Sequence, residues 1–358
     1  MLTILIFFIV LGVLVLVHEF GHFYVAKKAG MRVDEFGFGF PPRMFGVKSG
    51  ETIYSINWIP FGGFVKVYGE QGEGEDDPRS FASNRAFIRA KVIVAGVVMN
   101  LLLAAVLLGF GNFLGLRIGL LDDEAGARDV KIQIINVSSD SPAQMAGINP
   151  LDEIIRLEKG NDVISVGEVE EVQSFVKKYA GQELTLVIGR NSHELDLKLV
   201  PRLDPPPGQG ELGISLVKTG IVSYPWYEAA WRGVRDTGIM TANIAVALVV
   251  FFKNLLIDSS QVADVSGPVG IAVLTGQAAG LGFNYLLQFV ALLSINLAVL
   301  NIMPFPALDG GRLLFIGIEK LKGSPVSKGV ENIVNATGFA LLIALMIWIT
   351  VKDVAKFF

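Results

Sequence analysis

His18-Glu19-Phe20-Gly21-His22 sets two imidazoles four residues apart, with a carboxylate between them. On a helix, positions i and i+4 project from one face. The pair can therefore grip a single divalent cation, zinc above all, and Glu19 can reach a water held there. Zinc draws the pKa of such a water toward about 7, which makes hydroxide available at neutral pH. Glu19 would take the proton and pass it to a leaving amine. The competing reading is chance, since the five-residue pattern alone is only moderately specific. Two observations weigh against chance. Two of the chain's three histidines lie in the pattern, and it ends a long apolar run. An ionisable residue inside a membrane segment costs about 2.5–3.5 kcal/mol on insertion scales and is by default functional.

A catalytic zinc site needs three protein ligands and an open position. There is no cysteine to supply a thiolate. His193 falls between two strand-like runs and reads as a surface turn residue. A carboxylate remains, and Asp309 stands out in Asn301-Ile-Met-Pro304-Phe-Pro306-Ala-Leu308-Asp309-Gly310-Gly311, directly after an apolar stretch. A helix-capping or turn aspartate is the alternative. The two prolines break the helix, and irregular backbone at membrane depth persists only where it is buried in protein or lines a wet cavity. A cleft for an extended peptide is such a cavity. Asn301 reads as a donor to substrate main chain, whereas Asn296 reads as a helix–helix hydrogen-bonding residue. Asn100, one turn after Gly96, offers an amide to the bundle interior beside a residue small enough for close packing.

These residues must be carried by membrane helices. Of 358 residues, 52% are hydrophobic and 18% charged, against roughly 25% charged in soluble domains, and the mean hydropathy is +0.53. That excludes a disordered chain and points to a polytopic α-helical membrane protein with a soluble insert. The net charge of −4 gives no basic excess for nucleic acid. Four spans are expected: 1–26, 92–111, 285–312 (apolar over 285–303) and 333–351. In the first, the lysines follow the apolar run, unlike a cleaved signal peptide. The loop 27–91 holds ten Lys/Arg, which places it in the cytoplasm and the N-terminus outside. Residues 52–68 alternate and are broken by Gly62-Gly63, as in a β-hairpin or looped strand pair lying against the membrane. Between 128 and 216, strand-like runs (131–137, 152–158, 162–166, 183–189, 194–200), a helix at 168–180 and a last strand at 211–216 make a small β-rich domain.

HEFGH in the first span, Ala95-Gly96-Val97-Val98-Met99-Asn100 in the second and SINLAVLNIMPFPALDGG in the third resemble the site-2 proteases, a family of intramembrane zinc metalloproteases. The insert is similar to a PDZ domain of the circularly permuted bacterial type: Ser141-Pro142-Ala143 and Ala146-Gly147-Ile148 resemble its turn and helix. Glu211-Leu212-Gly213-Ile214 resembles its carboxylate-binding loop and adjoining strand. The resemblance implies one zinc ion held by His18, His22 and Asp309, with Glu19 as base. It implies substrate positioning by Asn301, Pro304 and Pro306, with Asn100 nearby, and by membrane-embedded β-loops at Gly37-Phe38-Gly39 and Gly62-Gly63-Phe64. Ser266–Ile271 matches a further family segment. Two departures stand out. The best-known members carry two tandem PDZ domains and only one is found here, and Leu151 stands where PDZ domains commonly have Gly. The implied partners are the lipid bilayer, single-span membrane proteins as substrates (anti-sigma factors or signal-peptide remnants among them) and a peptide C-terminus at Leu212, Gly213 and Ile214. The implied location is a bacterial cytoplasmic membrane, with the PDZ domain outside.

Topology follows from the ligands. Asp309 follows the third span and must meet histidines near the cytoplasmic end of the first, so both spans run from outside to inside. The apolar stretch 237–257 then cannot cross, and 226–257 is expected as one or more amphipathic helices on the outer surface, anchored by Trp226, Tyr227 and Trp231. The rival functions are a PDZ-bearing scaffold or a zinc-binding membrane protein without protease activity. A transporter favours inverted repeats, and the chain has no internal repeat.

Overall fold

The computed structural model describes residues 2–70, 72–74, 76–120, 126–190, 193–257, 267–324 and 326–357; Ser266 lies outside them. These residues form two compact units, one of 1–111 with 227–358 and the other of 112–226.

The first unit begins with α1 (Leu2–Lys28), uncharged until His18 and Glu19 and ending on Lys27 and Lys28, where positive charge suits the helix dipole. Gly30, at φ +79°, takes the left-handed conformation that closes the helix. Then come β1 (Val33–Ser49) and β2 (Thr52–Val67), an antiparallel pair whose turn lies between Ser49 and Thr52. The pairing doubles back on itself: Phe36 partners both Tyr54 and Val65, and Gly37 both Ser55 and Phe64. Gly63–Val67 is thereby left as an edge. A cluster of Ala26, Met31, Val33, Val67 and Val92 fixes the base of this sheet between α1 and α2 (Ala86–Leu114). The second helix starts at Ala86 rather than at 92, so its first turn and a half carries Arg89 and Lys91.

The second unit holds β3 (Leu116–Gly119), β4 (Arg128–Val137), α3 (Pro142–Met145), β5 (Glu153–Lys159), β6 (Asp162–Ser165), α4 (Val169–Lys178), β7 (Leu184–Arg190), β8 (His193–Leu199) and β9 (Ile214–Val222). Its sheet runs β3-β9-β4-β5-β7-β8, with β6 against β5. Alternate residues of the strands, Leu184, Leu186 and Ile188 among them, turn inward onto Val172, Phe175 and Val176 of α4, the period of two that a half-buried strand requires. The last strand begins at Ile214 and continues to Val222, past the expected 216, because it pairs with β4 on one side and β3 on the other. The β-rich unit therefore extends beyond 128–216 at both ends.

The chain returns to the first unit with α5 (Trp226–Ile257), α6 (Pro268–Leu281), α7 (Phe283–Ile302), α8 (Asp309–Lys322) and α9 (Lys328–Phe357). Among the described residues, α1, α2, α5, α7 and α9 make five helices long and apolar enough to cross a membrane, by length and composition. That is one more than the four spans expected, because 226–257, expected as one or more amphipathic helices, is a single helix of 32 residues whose apolar stretch is long enough to span. The expected span 285–312 is in fact a helix to Ile302, an irregular segment and the first turn of α8. Pro304 and Pro306, which lack an N–H, account for the break.

Leu151 sits at φ +73° and is 40% exposed. A left-handed non-glycine residue carries about 1–2 kcal/mol of strain, while a glycine adds about 0.4–1 kcal/mol of unfolded-state entropy. Leu151→Gly should therefore stabilise the β-rich unit by about 0.5–1 kcal/mol. Thermal unfolding of the full chain should show the midpoint of that unit rising by a few degrees. A fall would mean that the leucine side chain contributes more by packing than it costs in strain.

Candidate metal centre

His18 and His22 lie one turn apart on α1, both buried, facing a stripe of α2. Val92, Gly96 and Asn100 recur on α2 at intervals of four. His22 Nδ1 is 2.8 Å from the Val92 carbonyl oxygen, so it carries the ring proton and donates it, leaving Nε2 with a lone pair. Gly96 is the floor beneath both rings: a Cβ there would meet His22 Nε2 at 2.4 Å and His18 Cε1 at 2.7 Å. Gly21 plays the reciprocal part, since a Cβ on it would lie 2.4 Å from the Ala95 carbonyl oxygen. Small residues on both helices thus let the backbones close up.

Asn100 is fully buried and its amide lies 3.3 Å from His18 Nδ1. With Nε2 as the ligating atom, Nδ1 holds the proton. Rotating the amide by 180° gives that proton to Asn100 Oδ1, which otherwise is buried without a partner.

Asp309 opens α8 and is brought in by the irregular segment after α7. Its Oδ2 lies 3.1 Å from His18 Nε2 and 3.4 Å from His22 Nε2, and the two nitrogens are 3.2 Å apart. Atoms about 2.0–2.1 Å from one centre at the tetrahedral angle lie about 3.3 Å from each other. The separations thus have the length of a tetrahedron's edge. Asp309 Oδ2 is buried and, despite these short distances, makes no well-aimed hydrogen bond. Three lone-pair atoms converging without a shared proton is the electrostatic pattern that a cation resolves, so the donor set fits a zinc ion.

Two residues of α9 that sequence reasoning passed over shape the Asp309 segment. Asn335 Oδ1 accepts the Ala307 N–H at 3.2 Å, steadying a non-glycine residue at φ +70°. One turn on, Gly338 makes room for Pro306, whose Cβ would be 2.4 Å from any Cβ at 338. Pro304 itself is exposed. Asn301 is brought to the centre, its Nδ2 being 3.4 Å from His18 Nε2. Asn296 instead donates to the Leu292 carbonyl of its own helix at 2.9 Å.

Glu19 faces the doubled sheet and accepts the Val65 N–H at 3.1 Å. It shares a cavity of about 240 Å³ with His22, Gly63, Phe64, Asp309 and Arg312. The glycines expected to hold substrate allow the sheet to press on α1. A Cβ at Gly62 would meet Val15 at 2.9 Å, and Phe38 lies over Gly12, where a Cβ would be 2.8 Å from its ring. A Cβ at Gly37 would be 2.6 Å from Phe64 and from Ser55 Oγ, and Gly39, at φ +78°, would meet the Ile59 carbonyl at 2.7 Å.

In the second unit, Leu212 is buried and receives the Ala143 N–H at 3.2 Å on its carbonyl. Gly213 is at φ +72° and Ile214 opens β9. Leu212 and Ile214 line a groove of about 500 Å³ between β9 and α4. His193 begins β8 and is exposed.

A sequence model described as Peptidase family M50 matches residues 6–345. The zinc metalloprotease RasP of Oceanobacillus iheyensis is 32% identical over 439 aligned residues, covering all of both chains. RasP of Shouchella clausii is 29% identical over 439, covering 99% of each. A Clostridium acetobutylicum protein whose name also gives a zinc metalloprotease is 35% identical over 346 residues, 96% of this chain and 94% of its own.

Replacing a residue that orients a metal-binding histidine typically costs 10–100-fold in metal affinity. Asn100→Leu should lower zinc affinity by that factor, while Asn100→Asp, which keeps an oxygen on Nδ1–H, should hold it within a few-fold. Competition with a chromophoric chelator reads both; equal affinities for all three proteins would remove Asn100 from the site.

Proposed function

We propose a reaction for a chain that belongs to peptidase family M50, the zinc metalloproteases: hydrolysis of a peptide bond within or near the transmembrane segment of single-span membrane proteins, of the regulated anti-sigma-factor type. The observation that carries this reading is the convergence of His18, His22 and Asp309 at a cavity that His22 and Asp309 line together with Glu19 and an open strand edge. Zinc, when bound there, supplies Lewis acidity toward a water and toward the scissile carbonyl. Of the two glutamates lining that cavity, Glu70 is paired with Arg312, so Glu19 takes the part of base and moves the proton from water to the leaving nitrogen. Asn301 points an amide N–H at the same place and suits the developing negative charge on the carbonyl oxygen. The edge Gly63–Val67 offers backbone groups to an extended substrate, which would otherwise have unsatisfied N–H and C=O groups in a dry setting.

The chain is a multi-pass membrane protein, and we read four crossings, by α1, α2, α7 and α9. Asp309 just after α7 meets His18 and His22 in the C-terminal half of α1, so α1 and α7 cross in the same sense. The return is made by α2. Gly233 of α5 packs on Ala105 and Gly109, and Gly276 of α6 lies against Thr3, placing α5's start and α6 at the side where α1 begins. A crossing by α5 would need a second crossing before α7, and α6, at 14 residues and 1.5 Å each, is about 21 Å long against a core of about 30 Å. This reading keeps α5 at the outer surface and puts the β-rich unit outside the cytoplasmic membrane. The groove at Leu212, Gly213 and Ile214 reads as a PDZ groove for a peptide C-terminus.

The test is a paired assay in liposomes. Wild type and Glu19→Gln each meet a model single-span substrate, and zinc is measured in both. The expected result is about one zinc in each and a cleavage rate lower by about 10²–10⁴-fold in the variant. Equal cleavage by the two would remove Glu19 as base, and wild type without zinc would remove the ligand set.

A further inference from the structure

A chamber of about 720 Å³ lies beside the metal cavity. The two share Glu70, Phe81, Ile93 and Arg312. Four elements wall the chamber: the loop after β2, the start of α2, α8 and the start of α9. Two ion pairs tie these together, Arg312 with Glu70 and Arg89 with Glu319. Its size lies within the roughly 300–1,000 Å³ range of ligand sites. Its charges cancel: Arg89, Arg312 and Lys328 stand against Glu70, Glu319 and Glu331. No net field selects an anion or a cation.

The shared wall joins the chamber to the metal cavity. The strand edge supplies the path. Gly63, Phe64 and Val65 line the metal cavity, and the same chain, two residues beyond Val67, lines the chamber with Gly69 and Glu70. A strand laid along that edge advances about 3.3 Å per residue, so five residues separate Val65 from Glu70 by about 16 Å at most. We propose that the chamber seats the stretch of substrate polypeptide about four to seven residues to one side of the scissile bond, held extended and selected for being unfolded and near-neutral rather than for a sequence. This rests on the protease reading above. It makes the chamber a second binding site, continuous with the first, for one flank of the substrate only.

The chain has no cysteine, so Ile316→Cys or Asn332→Cys places a unique thiol in the chamber, and Phe40→Cys places one in the metal cavity. Each is made on the Glu19→Gln background and mixed, under a mild oxidant, with single-span substrates bearing one cysteine at successive positions around the cut that wild type makes. Crosslinks from 316 and 332 should be confined to one flank, about four to seven residues out, while those from 40 centre on the cut. Crosslinks from 40 but none from 316 and 332, or equal crosslinks to both flanks, overturn the proposal. A second variant, Ile316→Trp, fills the chamber. Its KM should rise about tenfold for the intact substrate and stay level for one truncated on the crosslinked flank; the same KM change for both substrates overturns the proposal. Wild type that cuts no substrate and holds no zinc defeats the protease reading itself, a result distinct from either crosslinking outcome.

Discussion

The site depends on how closely α1 and α2 approach. Three ligand atoms 3.1–3.4 Å apart leave no tolerance for a side chain between the helices, and Gly21 and Gly96 are where it would intrude. Lipid gives apolar helices little reason to associate with one another, so the approach must come from packing and polar contacts. Val92 and Asn100 are those contacts, one for each histidine. The stripe that makes room for the rings is thus also the stripe that orients them. Ser294 of α7 extends it by donating to the Asn100 carbonyl at 2.8 Å, which draws the helix that leads into the Asp309 segment to the same place.

The doubled sheet is the second constraint. Its strands are studded with exposed large apolar side chains, Phe45, Trp58 and Ile59 among them, which would be a liability in water and suit a lipid boundary. Its edge nearest Glu19 is left open, where soluble proteins would protect it. The one N–H of that edge known to be satisfied from outside the sheet, that of Val65, is satisfied by the carboxylate of Glu19 itself.

The cluster of His18, His22 and Asp309 was legible because chemistry restricts metal-binding groups to few residue types, and this chain has three histidines and no cysteine. Asp309 could be singled out because the prolines before it mark a broken helix. Asn335 and Gly338 were not legible: an asparagine and a glycine in an apolar helix say nothing about which loop they face, and only the contact with Pro306 and Ala307 gives them a part. The run 226–257 was legible only in part. Its polar residues left open one amphipathic helix or several; no proline interrupts it and the backbone continues unbroken for 32 residues, with a stretch long and apolar enough for a span. The last strand of the β-rich unit ran longer than its apolar pattern, because pairing on both sides, not side-chain alternation, sets its length.

His22 and Asp309 are separated by 287 positions (309 minus 22). At about 5–20 residues per second, the carboxylate leaves the ribosome roughly 15–60 s after the imidazoles. A nascent chain, or one cut short anywhere before α8, carries two histidines and no third ligand. Synthesis order alone therefore bars the three-donor cluster from forming until α8 has been made.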